Sequence, residues 1–60
     1  MYIYIITHND TTTKHDEESA KAKIVGWNGD ERAAAHLMYI ARQCGESYND
    51  TWDIHIRYTA

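Results

Sequence analysis

The chain opens with a six-residue segment, MYIYII, that is apolar on both of its alternating sides. A β-strand points successive side chains to opposite faces, and aromatic and β-branched residues favour strands. We therefore predict a strand over residues 1–7, and its strongly apolar character predicts a central place in a sheet. Its two faces would carry Met1, Ile3 and Ile5 on one side and Tyr2, Tyr4 and Ile6 on the other.

The next 12 residues, HNDTTTKHDEES, are polar and have no periodicity. We predict a long, mobile hairpin loop over 8–19, with a short helix at its acidic end as the alternative. The segment AKAKIVGW at 20–27 alternates again and predicts a second strand. Lys21 and Lys23 would mark it as an edge strand, because lysines there discourage pairing between sheets.

The clearest pattern predicts a helix over 31–44. Asp30 is a favourable N-cap residue and Gly45 a favourable residue just after the C-terminus. An apolar stripe at helical spacing should pack against a sheet, and Cys44 falls at its end as a packed, unreactive thiol. The stripe consists of Ala34, Leu37, Met38, Ala41 and Cys44.

After a polar turn, ESYND, the segment WDIHIRYT at 52–59 predicts a last strand. A right-handed crossover through the helix would place this strand beside the first one and antiparallel to it. The predicted fold class is α+β: a single β-β-α-β domain over 1–60. Its three-stranded, mainly antiparallel sheet, in the order 2-1-3, would have one helix packed on one face.

One helix would leave the other face of such a sheet uncovered. Tyrosine, tryptophan and arginine are enriched in interface hot spots, so we predict that this face is an interaction surface. The alternative is that the loop 8–19 folds over it. The candidate interface residues are Tyr2, Tyr4 and Ile6 at the centre with Trp27, His55 and Arg57 around them, and Tyr39 and Arg32 on the exposed helix side as a second candidate.

Length and cysteine content favour association with another protein. A chain of 60 residues forms a small core that provides only marginal stability. Small domains therefore usually need a disulfide, a metal or another subunit to stabilise the fold. The single cysteine excludes an intrachain disulfide, so we expect a reducing, cytoplasmic location and a homodimer. We identify no membrane span and no signal peptide.

Candidate chemistry is sparse. The spacing of His8, His15, His36 and His55 matches no zinc pattern, and the scattered glycines form no phosphate-binding loop. We therefore expect no metal, no cofactor and no enzymatic activity.

The competing hypothesis is a sheet that stacks single-stranded nucleic acid on aromatic side chains. A net charge of -3 argues against it. Its residues would be Tyr2 and Tyr4 for stacking, with Lys21, Lys23 and Arg57 for the phosphates.

In its layout of a hairpin, the helix ERAAAHLMYIARQC and the last strand WDIHIRYT, the chain resembles small bacteriophage-encoded inhibitors of host or defence proteins. The resemblance covers most of the chain but includes no residue motif, so it assigns no functional residues. It implies a non-enzymatic protein, often dimeric, that binds and blocks a bacterial host or antiviral-defence protein.

Overall fold

The computed structural model describes residues 2–60, and the prediction made for Met1 lies outside this range. The elements are β1 (Ile3–His8), β2 (Thr11–His15), α1 (Glu17–Asn28), α2 (Glu31–Cys44), β3 (Glu46–Asn49) and β4 (Ile54–Thr59). The strands form one antiparallel sheet in the order β2-β1-β4-β3. The α+β class is confirmed, as are a central first strand and its antiparallel pairing with the last one. The prediction of three strands and one helix is wrong, because the described part has four strands and two helices.

A tight hairpin replaces the predicted loop over 8–19. Asn9 and Asp10, both at positive φ (49° and 65°), connect β1 to β2. Two left-handed residues in a two-residue connection match the twist of the strands, and Asn and Asp tolerate that conformation well. The loop prediction is wrong because the polar segment TTTKH pairs along β1 as an edge strand and has no apolar face of its own.

The predicted strand over 20–27 is also wrong, since these residues belong to α1. Asp16 caps this helix by accepting a hydrogen bond from the Ser19 backbone N–H, and Gly29 ends it at a φ of 70°. Ala20 and Ile24, four residues apart, turn to the core. The alternative helix at the acidic end of 8–19 correctly located the beginning of α1.

The predicted helix over 31–44 is confirmed as α2. Asp30 accepts hydrogen bonds from two backbone N–H groups of the first turn, and Gly45 ends the helix at a φ of 89°. The predicted stripe is buried except at its end: Cys44 is exposed, contrary to the prediction of a packed thiol. The polar turn predicted after α2 is instead β3, and Ser47 in it donates a buried hydrogen bond of 2.8 Å to the Leu37 carbonyl oxygen.

Both helices cover the same face of the sheet. Tyr4 and Ile6 from β1 and Ile54 and Ile56 from β4 point toward them and are almost completely buried. The prediction that Tyr4 and Ile6 lie on an uncovered face is therefore wrong. The two sides of β1 are exchanged relative to the sequence-based assignment.

Candidate functional site: the open sheet face

The face of the sheet opposite to the helices has no cover from any described residue, and we call it the open face. Its members follow from the strand registers, because residues directly opposite each other in antiparallel strands share a face. They are Thr12 and Lys14 of β2, Ile3, Ile5 and Thr7 of β1, His55, Arg57 and Thr59 of β4, and Glu46 and Tyr48 of β3.

One row of the open face crosses all four strands. Ile5 lies opposite Lys14 on one side and opposite Arg57 on the other, and Arg57 lies opposite Glu46. The row therefore reads Lys14, Ile5, Arg57, Glu46, with a cation at one outer strand and a carboxylate at the other. Ile5 is half-buried, whereas the three charged residues are exposed.

The next row contains the aromatic side chains of the open face. Tyr48 packs edge-on against His55 with ring centroids 6.1 Å apart, and 58% of Tyr48 is exposed. The Nε2 atom of His55 lies 2.9 Å from a carboxylate oxygen of Glu46, which links this row to the charged one. Tyr48 is thus the largest exposed apolar side chain of this face.

The open face is positively charged on an acidic chain. Lys14 and Arg57 outnumber the single carboxylate of Glu46, whereas the whole chain carries -3. Ile5 lies between Lys14 and Arg57, and Ile3 lies beside it on the same face, opposite Thr59, because alternate side chains of a strand point to one face. Protein–protein interfaces likewise combine apolar side chains with tyrosine and arginine.

The predicted site residues divide between two sides of the molecule. His55 and Arg57 lie on the open face, as predicted. Tyr2 instead stacks on Tyr58 with ring centroids 4.9 Å apart, and Trp27 stacks on His8 at 4.0 Å from its position on α1. Tyr39 and Arg32 are exposed on α2, in agreement with their assignment to the outer side of that helix.

Sequence reasoning missed the other residues of the open face. Ile3 and Ile5 were assigned to the helix-covered side, and Glu46 and Tyr48 to a turn. Lys14 lay in the predicted loop. The face to which Lys14 points could not be read from the sequence, because TTTKH is polar at every position.

The structure does not place the residues of the nucleic-acid hypothesis on one accessible surface. Its stacking residue Tyr4 is 2% exposed, and Lys21 and Lys23 are on α1, across the sheet from Arg57. Stacking needs accessible aromatic rings beside the cations that hold the phosphates. The five residues therefore do not form one surface.

On the helix side, a three-residue contact joins β1 to both helices. Arg42 donates hydrogen bonds to the Tyr4 hydroxyl at 2.8 Å and to a Glu17 carboxylate oxygen at 3.2 Å, and the Tyr4 hydroxyl lies 3.3 Å from the same oxygen. Burial raises the pKa of Tyr4 although Arg42 acts in the opposite direction. The phenol therefore stays protonated at neutral pH and serves as a structural donor and acceptor.

A shallow groove of about 210 Å³ lies beside this contact, between α1 and α2. Its charged lining residues are paired: Arg42 with Glu17 at 3.2 Å and Lys21 with Glu31 at 3.1 Å. Across residues 2–60 no three His, Cys, Asp or Glu side chains are grouped so that they could hold a metal ion. The groove thus offers neither an unpaired charge nor a group of metal ligands.

Within residues 2–60, neither helix has the length and apolar character needed to cross a membrane. Comparison of the chain with models of known protein families, with curated proteins and with solved structures finds no match. The open face is therefore assigned from its geometry alone.

Proposed function

We propose that the protein is a non-enzymatic protein-binding domain and that the open face is its contact surface. The observation that carries this proposal is the placement of both helices on one side of a four-stranded sheet. That placement leaves Ile3 and Ile5 facing outward, with the cations Lys14 and Arg57 on either side of Ile5. Covering them with a partner would remove apolar surface from water, which favours association.

The shape of the open face favours a protein partner over a small molecule. Small-molecule sites are usually concave and enclose most of the ligand, whereas one side of an open sheet is a broad surface. The Tyr48 ring and the Arg57 guanidinium provide the large and planar contact groups that are frequent in interface hot spots.

We further propose that the domain acts by stoichiometric occlusion of a bacterial host or defence protein. The resemblance to phage-encoded inhibitors supports this target class, and it implies a cytoplasmic site of action. Helix α1 departs from the layout on which that resemblance was based. The open face supports protein binding, and the resemblance alone supports this target class.

A paired substitution tests the contact surface. Replacing Ile3 and Ile5 together by threonine keeps β-branching, and hence strand propensity, but removes the apolar centre. The control is Tyr39→Ala, which removes a larger exposed ring from the outer side of α2. Immobilised wild-type and variant proteins would be used to capture proteins from bacterial lysate, and their self-association would be measured by sedimentation velocity.

We expect binding to be lost in the double variant and retained by Tyr39→Ala. Retention of the same bound proteins and the same self-association by the double variant would refute the assignment. Loss of binding only in Tyr39→Ala would move the contact surface to α2, the second surface predicted from the sequence.

A further inference from the structure

The order of charges across the open face points to a second copy of this chain as its partner. We infer a two-fold symmetric dimer in which two open faces pack against each other. The inference rests on the proposed function, because it identifies the partner of the same surface.

The two outer residues of the four-residue row carry opposite charges, and Ile5 and the cation Arg57 lie between them. The row reads Lys14, Ile5, Arg57, Glu46 from one outer strand to the other. A two-fold axis that runs along the strands, midway between β1 and β4, reverses this order in the second copy. Lys14 then faces Glu46 of the second copy, Glu46 faces its Lys14, and Ile5 faces the aliphatic part of its Arg57.

Two other simple two-fold arrangements place like charges together. An axis along β1 would bring Lys14 over Arg57 of the second copy. An axis running across the strands along this row would bring each charged side chain over its own counterpart. Juxtaposed like charges oppose association, so the charge pattern favours the axis between β1 and β4 over these two. The two Arg57 side chains then flank the axis, and each lies over an isoleucine and not over a cation.

The neighbouring row agrees with the same axis. It reads Thr12, Thr7, His55, Tyr48 across the sheet. The two-fold axis reverses the order of this row in the second copy and places Tyr48 of the first copy over Thr12 of the second. The exposed ring on β3 of one copy then covers a small side chain on β2 of the other. His55 faces Thr7, and no two large rings compete for the same space.

The twist of β-sheets still allows Lys14 of one copy to contact Glu46 of the other. Facing sheets are rotated by about 30° relative to each other, and strands are about 4.8 Å apart, so Lys14 lies about 7 Å from the axis. The rotation displaces the facing side chains by about 4 Å at that distance from the axis. Lysine and glutamate are long and flexible enough to span this displacement.

The small size of the face favours a weak dimer. Four strands of up to six residues form a face of about 400 Å², below the roughly 800 Å² per partner of a standard stable interface. We therefore expect a weak dimer, with a dissociation constant in the micromolar range or above. The net positive charge of the face would also suit an acidic partner protein, and the experiment separates the two occupants.

Lys14 and Glu46 lie at opposite outer strands of one sheet, three strand spacings or about 14 Å apart, so they have no direct contact within one copy. Charge reversal at the two positions can therefore compensate only between copies. The variants are Lys14→Glu, Glu46→Lys and the combination of both. Lys23→Glu, an equal charge change on α1, is the matched control.

Sedimentation equilibrium at low and moderate salt would give the dissociation constants, and circular dichroism would verify folding. We expect each single reversal on the open face to weaken self-association about tenfold, because the symmetry replaces two attractions by two repulsions. The combined variant should associate more tightly than either single reversal, as expected for coupled sites. It should not fully reach the wild-type affinity, because Glu46→Lys also removes the contact with His55 and places a lysine opposite Arg57 within each copy. Lys23→Glu should leave self-association unchanged, and added salt should weaken the wild-type dimer.

A folded combined variant that associates no better than the single reversals would overturn the proposed axis and its charge pairing. A wild-type protein that stays monomeric at millimolar concentration would overturn the dimer altogether. In that case, capture from lysate that the Ile3 and Ile5 substitutions abolish would leave the proposed function standing with a different partner. Absence of both self-association and capture would refute the inference and the proposed function together.

Discussion

At the scale of single residues, Tyr4 shows how one side chain joins the sheet to both helices. Its ring is 2% exposed and packs against Tyr58 with centroids 4.8 Å apart, while its hydroxyl reaches the edge of the core. There it contacts Glu17 at the beginning of α1 and Arg42 near the end of α2. The tyrosine is therefore part of the fold and is not available to a partner.

Substitution Tyr4→Phe removes only the hydroxyl. We expect the free energy of unfolding to fall by about 0.5–1.5 kcal/mol, the usual net contribution of a hydrogen bond, because Arg42 retains Glu17 as a partner. Urea denaturation followed by circular dichroism measures the change. Tyr39→Phe is the control, since 54% of Tyr39 is exposed on α2. Equal midpoints for Tyr4→Phe and wild type would show that the three-residue contact does not stabilise the fold.

His15 joins the end of β2 to the first turn of α1. Its Nε2 atom lies 2.6 Å from the Thr13 hydroxyl oxygen and its Nδ1 atom 2.8 Å from that of Ser19. Partial burial lowers the pKa of His15 below its ordinary value of 6.5, and the positive charge of Lys23 lowers it further by a smaller amount. The negative charge of Asp16 acts in the opposite direction. The imidazole of His15 therefore binds a proton less tightly in the folded protein than in the unfolded chain.

The lowered pKa predicts a loss of stability on acidification. The contribution of His15 is fully present above the unfolded pKa of 6.5 and decreases as the pH falls through that value toward the folded pKa. Urea midpoints measured at about pH 7.5 and about pH 5.5 should differ less in His15→Gln than in wild type. His36→Gln, on the exposed side of α2, should keep the wild-type difference. An unchanged pH dependence in His15→Gln would contradict the assignment.

At the scale of the elements, the glycines define where the helices end. Gly29 and Gly45 adopt φ values of 70° and 89° after α1 and α2, whereas Gly26 lies within α1 and a Cβ there would meet nothing within 4 Å. Alanine substitutions should therefore have opposite signs. We expect Gly26→Ala to stabilise the fold by about 0.5–1 kcal/mol, and Gly29→Ala and Gly45→Ala each to destabilise it by about 1–2 kcal/mol.

Thermal unfolding of the three variants measures these effects. Gly26→Ala is the internal control for the glycine-to-alanine change, since it has the same chemistry without the left-handed backbone. A lower melting temperature for Gly26→Ala than for Gly29→Ala would contradict the helix boundaries described above.

The same elements show which parts of the fold the sequence predicts. Helix α2 was predictable because Asp30, Gly45 and a stripe at helical spacing all indicate one helix. Helix α1 was not, because its alternating alanines and lysines imitate a strand and only Ala20 and Ile24 reveal the helical period. Alanine is small enough to occupy either side of either element, so its alternation carries little information.

The existence of an uncovered sheet face was predicted correctly, but the residues assigned to its centre were wrong. One face of a sheet lacks cover whenever all helices pack on the other side, so this part of the prediction did not depend on the number of helices. Which side of β1 faces outward could not be read from MYIYII, since both sides are apolar. The contacts that hold Tyr4 inward involve Arg42, which is 38 positions away in the chain, so no local pattern contains them.

At the scale of the whole molecule, the proposed dimer connects association to stability. If two folded copies associate and unfolded chains do not, mass action stabilises the folded state as concentration rises. The melting temperature of the wild-type protein should then rise by about 5 °C between concentrations well below and well above the dissociation constant. Differential scanning calorimetry over about 10–1,000 µM covers the range in which a face of this size should dissociate.

The charge-reversal variants separate association from intrinsic stability in this measurement. Lys14→Glu should melt at a temperature that depends much less on concentration, and the combination with Glu46→Lys should partly restore the dependence. Lys23→Glu changes the net charge by the same amount on α1 and should melt with the wild-type concentration dependence. A concentration-independent melting temperature for the wild type would mean that the open face does not bind a second copy, and that Ile3 and Ile5 are covered by another protein or by none.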